Sequence, residues 1–214
     1  MAKLLGQGIY TFRDAARLTG LKTSRVREWF HRRPVFQGDY EPVEGDFAIS
    51  FYDLVDVFVA GQLREHGVTL QTVRKVYNRM AEDLATKHPF CRKELLTDGK
   101  RVFLKNVGAT GEPELVEVLT KQGVFTDFIL PFLRTIDYDK VGFLARRWRI
   151  AESVVIDPQI CFGSPIVEAA GIPTSVLAEA YLANQNDASL IADWFGVDQD
   201  SVLAAAAFER KLAA

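Results

Sequence analysis

The sequence predicts a mainly α-helical fold with small β elements, an α+β protein. Apolar residues recur at helical spacing in several segments, each opened by a capping residue and closed by a glycine, as in residues 50–67. Short apolar runs flanked by Gly-Asp or Asp-Gly pairs indicate brief strands between these helices. At 214 residues, the chain is long enough for two small domains and a connector.

The first helix is predicted to follow Thr11. Asp14 stands three residues after this threonine, which is typical of a capping box with Asp in the place of Glu. Gly20 suits the left-handed residue that ends a helix, and Leu21 is expected to lie beneath the turn. The segment therefore predicts a short helix followed by a tight turn.

A second helix is predicted to begin after the turn, capped by Thr23 or Ser24. Val26, Trp29 and Phe30 recur at i, i+3 and i+4, so we expect them to form its buried face. Residues 10–33 hold seven Lys or Arg and two acids, a local net charge of +5 in a chain whose net charge is -2. Two short helices with a basic second helix are the pattern of a DNA-reading helix-turn-helix, although a solvated helical hairpin would carry surface arginines too. The expected DNA-binding residues are Arg13, Arg17, Lys22, Thr23, Ser24, Arg25, Arg27, Arg32 and Arg33.

Residues 34–86 are predicted to complete this N-terminal domain, which spans residues 1–86. The pairs Gly38-Asp39 and Gly45-Asp46 between short apolar runs suit a small β-wing. Ser50 is expected to cap a third helix that ends at Gly67, and Thr69 to start a fourth. The result would be a winged helix-turn-helix.

This order of elements resembles the DNA-binding domain of MerR-type regulators. The resemblance implies that Arg27 contacts the DNA backbone or a base edge, and that residues 23–25 lie at the end of the helix that enters the groove. Lys22 stands where that family usually has a serine cap, and Glu28 stands where it has an aromatic residue. The positions that match the family pattern are Ala16, Gly20, Leu21, Arg27 and Trp29.

Residues 87–150 are predicted to be a mixed α/β connector. Asp98-Gly99 between alternating apolar runs indicates a β-hairpin, residues 112–122 a helix, and residues 125–136 either a helix packed in the core or a strand. Residues 143–155 are predicted to be extended. Arg146, Arg147 and Arg149 could contact nucleic acid, but a solvated strand face with a buried Trp148 is favoured.

Residues 151–214 are predicted to be a small helical domain with nine acids and two basic residues, a net charge of -7. Helix caps are expected at Thr174, at Asp187 or Ser189, and at Asp198. The helices are again arranged like a helix-turn-helix, but carboxylates facing phosphates repel, so a protein partner or self-association is favoured.

This end of the chain is similar to a small domain family without an assigned function that occurs in VapB-type antitoxins. The matching positions are Asp157-Pro158, Gly163-Ser164-Pro165, Ile172-Pro173, Ile191-Ala192 and Gly196. The resemblance, with the MerR-like start, implies an antitoxin that binds a PIN-domain ribonuclease toxin and represses its own operon as a homodimer on operator DNA. The alternatives are a MerR-like regulator that responds to a ligand, and an interaction adaptor that binds no DNA.

Catalysis, cofactors and metals are not expected. The three histidines, His31, His66 and His88, have no metal-ligating partner at helical spacing, and no phosphate loop or nucleophile elbow is present. Cys91 and Cys161 are far apart in sequence, and two buried thiols are favoured over a disulfide bridge or a reactive thiol. Without a signal peptide or a membrane-length apolar run, the sequence predicts a cytoplasmic protein.

Overall fold

A computed structural model describes residues 6–31, 34–43, 46–96 and 125–213. These residues form two compact units, one made of Tyr10–Ala145 and the other of Met1–Ile9 with Arg146–Ala214. Both units contain helices and short strands, which confirms the predicted α+β class. Within the described ranges, no helix is long and apolar enough to cross a membrane. The proposed boundaries at residues 86 and 150 stay a prediction.

The unit Tyr10–Ala145 begins with two short helices. Strand β1 (Tyr10–Thr11) leads into α1 (Phe12–Thr19), and α2 (Thr23–Phe30) follows the turn. The predicted capping box is confirmed, since the Thr11 side chain accepts a hydrogen bond from the Asp14 amide and the Asp14 carboxylate accepts one from the Thr11 amide. Gly20 takes the left-handed conformation at φ 73°, as predicted. The turn is therefore fixed by local backbone chemistry.

The predicted cap of α2 is wrong. Lys22 is the N-cap residue, with extended backbone and no side-chain hydrogen bond to the helix. Thr23 is already the first helical residue, so neither Thr23 nor Ser24 caps it. The reason is the length of the turn: only Leu21 and Lys22 separate Gly20 from the helix, and the buried Leu21 anchors that turn.

Only part of the 34–49 segment forms strands. Strand β2 (Ala48–Ile49) pairs antiparallel with β1, with Tyr10 opposite Ile49, and a single antiparallel bridge joins Val43 to Asp46. This small sheet ties the segment to the start of α1.

Two longer helices follow, α3 (Phe51–Glu65) and α4 (Leu70–Asp83). Ser50 and Thr69 cap them as predicted, each accepting a hydrogen bond from the amide three residues later. A 3-10 turn at Pro89–Cys91 comes next, and after the undescribed stretch a π-helical turn (Phe125–Ile129) continues into α5 (Leu130–Thr135) and β3 (Ile136–Tyr138). Residues 125–135 are thus helical, whereas the hairpin at Asp98-Gly99 and the helix at 112–122 fall outside the described residues.

Aromatic side chains fill the core of this unit. Trp29 is 1% exposed and its ring lies edge-on to Phe36, with centroids 6.1 Å apart. Phe36 in turn meets Tyr77 of α4 edge-on at 5.0 Å. Elsewhere in the unit, Phe58 of α3 stacks on Phe132 of α5 at 3.8 Å. Because large apolar side chains dominate core energetics, these contacts hold α2 to α4 through Phe36, and α3 to α5.

The second unit consists of an antiparallel sheet and three helices. Strands β4 (Ala145–Ala151), β5 (Val154–Ile156), β6 (Pro165–Val167) and β7 (Ile172–Pro173) pair in that order. Helices α6 (Thr174–Ala183), α7 (Ala188–Phe195) and α8 (Gln199–Ala213) complete it. Their shared core consists of Val167, Leu177, Ile191, Ala192, Val202 and Ala205. The extended reading of residues 143–155 and the buried Trp148, 5% exposed, are confirmed.

At the starts of these three helices, some of the predicted capping residues are confirmed and one is wrong. Asp187 accepts from the Leu190 amide at 3.0 Å, so the choice between Asp187 and Ser189 falls on Asp187. Asp198 accepts from the Ser201 amide at 2.6 Å and opens α8 as predicted. Thr174 is not a cap: it is the first residue of α6, fully buried, and its hydroxyl donates to Glu209 at 2.5 Å.

Candidate nucleic-acid interface and a buried carboxylate–histidine cluster

The basic residues predicted to bind DNA lie on the outer side of α1 and α2. Val26 and Trp29 point into the core, which leaves the charged side chains of α2 outside. Thr23 and Arg25 are half-buried. The exposed members of the set are Arg13, Arg17, Lys22, Ser24 and Arg27. Arg32 and Arg33 fall outside the described residues.

The start of α2 carries no side-chain cap, since the Lys22 side chain makes no hydrogen bond to the first turn. A helix N-terminus has a positive partial charge and amide groups without intrahelical acceptors, and it attracts anions. Lys22 and the half-buried Arg25 lie at this end, so the partial charge of the helix terminus and the charges of these side chains are both positive there.

Helix α3 supports the turn between α1 and α2 through a close approach at Gly61. A β-carbon on Gly61 would lie 2.9 Å from Cδ1 and 3.2 Å from Cδ2 of Leu21. The Leu21 amide donates to the Ala16 carbonyl at 2.9 Å, so the same residue closes the turn and packs on α3. The absence of a side chain at Gly61 therefore allows Leu21 of the turn to pack directly against the backbone of α3.

A second site lies inside the same unit, where His88 is enclosed by carboxylates. Its Nδ1 is 2.7 Å from Asp56 Oδ2 and its Nε2 is 3.1 Å from the Asp39 carboxylate. The Tyr77 hydroxyl donates to Asp56 Oδ2 at 2.7 Å, and the Lys87 ammonium donates to Asp39 Oδ1 at 2.7 Å. Asp56 is 0% and His88 is 6% exposed, so these two side chains are shielded from water, whereas Asp39 is half-buried and Lys87 is exposed.

Asp53 adds a third carboxylate to the cluster. Its Oδ2 accepts from the amides of Asp39 and Ser50 at 3.1 and 3.0 Å, while its Oδ1 lies 4.0 Å from His88 Nδ1. Among the described side chains, Asp53 Oδ1 is the buried oxygen that has no hydrogen-bond partner. The cluster therefore contains an acceptor position that the protein itself leaves unsatisfied.

The electrostatics follow from burial and charge pairing. Burial by itself would lower the pKa of His88, but hydrogen bonds to Asp39 and Asp56 raise it to about 10. Burial raises the pKa of Asp53 to about 6, against the lowering effect of His88. For Asp39, burial is outweighed by hydrogen bonds from His88, Lys87 and Ser50, which hold its pKa below the usual value. Negative charge is thus concentrated around one imidazole.

Helical spacing does not reveal this cluster. His88 precedes Pro89, and Asp39 is part of a pair interpreted as a turn. The hydrogen bond between His88 and Asp39 joins residues 49 positions apart, and that between His88 and Asp56 joins residues 32 apart. The one local signal was the i, i+3 spacing of Asp53 and Asp56 within a largely apolar helix, which places both carboxylates on one side of α3.

Within the second unit, residues 151–213 have an acidic surface, as their sequence predicts. Of their nine acids, Asp157 is buried and Glu209 half-buried, and Glu168 pairs with Arg147 at 2.8 Å. Large apolar side chains are exposed among the remaining acids: Trp194 is 60% and Leu182 is 69% exposed. The exposed acids are Glu152, Glu168, Glu179, Asp187, Asp193, Asp198 and Asp200.

Comparison with known proteins identifies part of this unit. Residues 154–208 match a family described as a protein of unknown function (DUF433), which is less than half of the chain. No curated protein matches the chain. The fold is similar to the X-ray crystal structure of Rv2018 from Mycobacterium tuberculosis, with a TM-score of 0.76 and 22% sequence identity over 92% of this chain and 96% of that one. At that identity the likeness concerns the fold alone.

Proposed function

We propose that the protein is the antitoxin of a type II toxin–antitoxin pair, which neutralises a PIN-domain ribonuclease toxin and represses its own operon by binding operator DNA. The observation that carries the proposal is the division of charge between α1–α2 and residues 151–213. The two short helices present exposed arginines and a lysine, whereas residues 151–213 present seven exposed acids beside exposed apolar side chains. Such surfaces suit two different partners, a polyanion and a basic protein.

The DNA-binding half of the proposal rests on α1, the turn and α2. In this assignment the unit is a MerR-like winged helix-turn-helix in which α2 enters the major groove and β2 with residues 34–47 forms the wing. Arg25 and Arg27 lie near base edges, while Arg13 and Arg17 face phosphates. The uncapped, positively polarised start of α2 supports this placement. A homodimer would read a palindromic operator.

Replacing both Arg25 and Arg27 with alanine is expected to weaken binding to the promoter. Each residue that makes a bidentate base contact contributes on the order of 1–3 kcal/mol. Each lost phosphate contact lowers the slope of log K against log salt by about 0.9. Fluorescence anisotropy with promoter DNA at several salt concentrations measures both effects.

A matched control removes the same charge elsewhere. Arg210 and Lys211 are exposed at the end of α8, in the acidic unit. Replacing both with alanine changes the net charge equally and is expected to leave promoter affinity nearly unchanged. If the two double variants lost the same promoter affinity, net charge alone would explain the effect, and α2 would not be the DNA-binding helix.

The toxin-binding half rests on the acidic unit. We expect the substitutions Glu179→Lys and Asp193→Lys together to weaken toxin capture by about tenfold at low salt, because complementary charge accelerates association. Neither residue caps a helix, so the fold is preserved. Co-expression of the full chain with the product of the adjacent gene, followed by affinity capture and mass determination, measures the change.

Glu41→Lys with Glu65→Lys serves as the matched control, because both residues are exposed and lie in the other unit. If this pair weakened capture as strongly as the first, the acidic unit would not be the binding surface. Failure of the adjacent gene product to form any complex would contradict the antitoxin proposal itself.

One observation favours the alternative, a ligand-responsive regulator. A cleft of about 490 Å³ lies between α1, the end of α2 and residues 34–49. Aromatic linings with a few polar groups are typical of small-molecule sites. The aromatic residues in its lining are Phe12, Phe30, Phe36, Tyr40 and Phe47. A regulator of this kind would bind its promoter without any toxin partner.

A further inference from the structure

The buried cluster in the unit Tyr10–Ala145 contains nitrogen, oxygen and sulfur donors that converge. One donor atom each from Asp56, His88 and Cys91 lie within 4.8 Å of one another, and all three residues are buried. Cys91 Sγ is 3.9 Å from Asp56 Oδ1. We propose a binding site here for one divalent transition-metal ion of the Zn²⁺ type, with Asp56, His88 and Cys91 as ligands and with Asp53, whose Oδ1 lies 4.0 Å from His88 Nδ1, moving in as the fourth.

The unpaired oxygen of Asp53 is the first argument. A buried carboxylate oxygen without a hydrogen bond is costly, and buried charges in proteins are paired or coordinate metals. The amides of Asp39 and Ser50 hold Oδ2 of Asp53, which leaves Oδ1 free and 4.0 Å from His88 Nδ1. A cation placed between Oδ1 and the imidazole would satisfy it.

The orientation of His88 is the second argument. Its Nε2 donates to the Asp39 carboxylate at 3.1 Å, which turns Nδ1 toward the other donors. A ligating histidine commonly donates its other ring N–H to a carboxylate in this way. The Tyr77 hydroxyl donates a hydrogen bond to Asp56 Oδ2 at 2.7 Å, which fixes the orientation of that carboxylate. In the present arrangement His88 Nδ1 is hydrogen-bonded to Asp56, and a metal ion would displace that proton.

The spacing of the donors is the third argument. Around a tetrahedral Zn²⁺, nitrogen, oxygen and sulfur ligands lie roughly 3.3–3.7 Å apart. The distances from Asp53 Oδ1 to His88 Nδ1, 4.0 Å, and from Asp56 Oδ1 to Cys91 Sγ, 3.9 Å, are slightly longer than that range, and the donors of Asp56, His88 and Cys91 lie within 4.8 Å of one another, so the side chains would draw together around the ion. The 2.7 Å contact between His88 and Asp56 would lengthen as its proton leaves.

The donor set also selects the class of metal. Mg²⁺ and Ca²⁺ prefer oxygen ligands alone, whereas a thiolate and an imidazole favour zinc and related transition metals. Burial and the nearby carboxylates raise the pKa of the Cys91 thiol, so the metal-free cysteine is protonated. A bound metal ion removes that proton, because a coordinating thiol is deprotonated outright.

Co²⁺ titration of the chelator-treated, full-length protein tests the site. We expect one equivalent of Co²⁺ to bind, with visible d–d absorption and a near-ultraviolet thiolate charge-transfer band, and Zn²⁺ to displace it. Cys91→Ser is expected to abolish the charge-transfer band, and Asp53→Asn to weaken Co²⁺ binding about tenfold or more. Circular dichroism of each metal-free variant verifies that it is folded.

The chain offers its own controls. Cys161 is an exposed free thiol in the other unit, and His66 is half-buried outside the cluster, so Cys161→Ser and His66→Ala are expected to leave the spectrum unchanged. Absence of stoichiometric Co²⁺ and Zn²⁺ binding by the folded protein would overturn the proposal. A charge-transfer band that survives Cys91→Ser, or disappears in Cys161→Ser, would overturn it as well.

Discussion

Replacing Trp29 with alanine is expected to destabilise the unit Tyr10–Ala145 by about 3–5 kcal/mol. The indole is 1% exposed and lies edge-on to Phe36. Its backbone carbonyl also accepts from the Val35 amide at 2.8 Å, so α2 and the following segment converge on this residue. Removing the ring leaves a cavity that the aromatic neighbours cannot fill. Because whole domains have a free energy of unfolding of only 5–15 kcal/mol, the loss is a large fraction of the total.

Urea denaturation followed by circular dichroism measures the free energy of unfolding without depending on tryptophan fluorescence. Trp194→Ala is the matched control, because the same side chain is removed from a position that is 60% exposed. Its expected effect is within about 0.5 kcal/mol. A Trp29→Ala variant as stable as this control would show that α2 does not depend on the indole, and the placement of the basic residues on α2 would lose its support.

Replacing His88 with leucine is expected to destabilise the metal-free protein by about 3–5 kcal/mol. Asp39 and Asp56 both accept hydrogen bonds from His88, and its loss leaves Asp56 buried beside Asp53 without a cationic partner. The cost arises from the stranded carboxylates rather than from lost packing, because leucine retains much of the volume. Urea denaturation in the presence of a chelator measures it.

Two further variants separate charge from packing. Asp56→Asn added to His88→Leu is expected to recover part of the stability, because one of the stranded charges is removed; the coupling is read from a double-mutant cycle. His66→Leu is the matched control, since His66 Nδ1 lies 2.7 Å from a neutral acceptor, the Gln62 carbonyl, and its loss costs about 1 kcal/mol. Additive losses for His88→Leu and Asp56→Asn would contradict an electrostatic origin.

The helix boundaries show what local sequence predicts well. Thr11, Ser50 and Asp187 each cap a helix as predicted, because a cap bonds an amide three residues away. The start of α2 was misplaced by one or two residues, since both Thr23 and Ser24 have capping chemistry and the position of the start depends on how Leu21 is anchored against α3. That anchor is a tertiary contact.

Charge also follows directly from sequence. The basic side chains of residues 10–31 and the acidic ones of residues 151–213 are mostly exposed, as an ionised group must be unless it is paired. Trp194 stands at helical spacing from the apolar Leu190 and Ile191 but is 60% exposed, since the shared core is completed by smaller residues such as Ile191 and Val202. Which apolar residues reach the core is decided by the packing of α6, α7 and α8.

By itself, the sequence determined the caps at Thr11, Ser50 and Thr69, the turn at Gly20, the α+β class and the opposite charges of the two ends. These features depend on side chains within four positions of one another or on composition. Only the tertiary structure brought Asp39, Asp53, Asp56, His88 and Cys91 into one buried cluster. Its contacts span up to 49 positions, and hydrogen bonds across such separations are set by how α3, α4 and the segments beside them pack, which helical or strand periodicity does not encode.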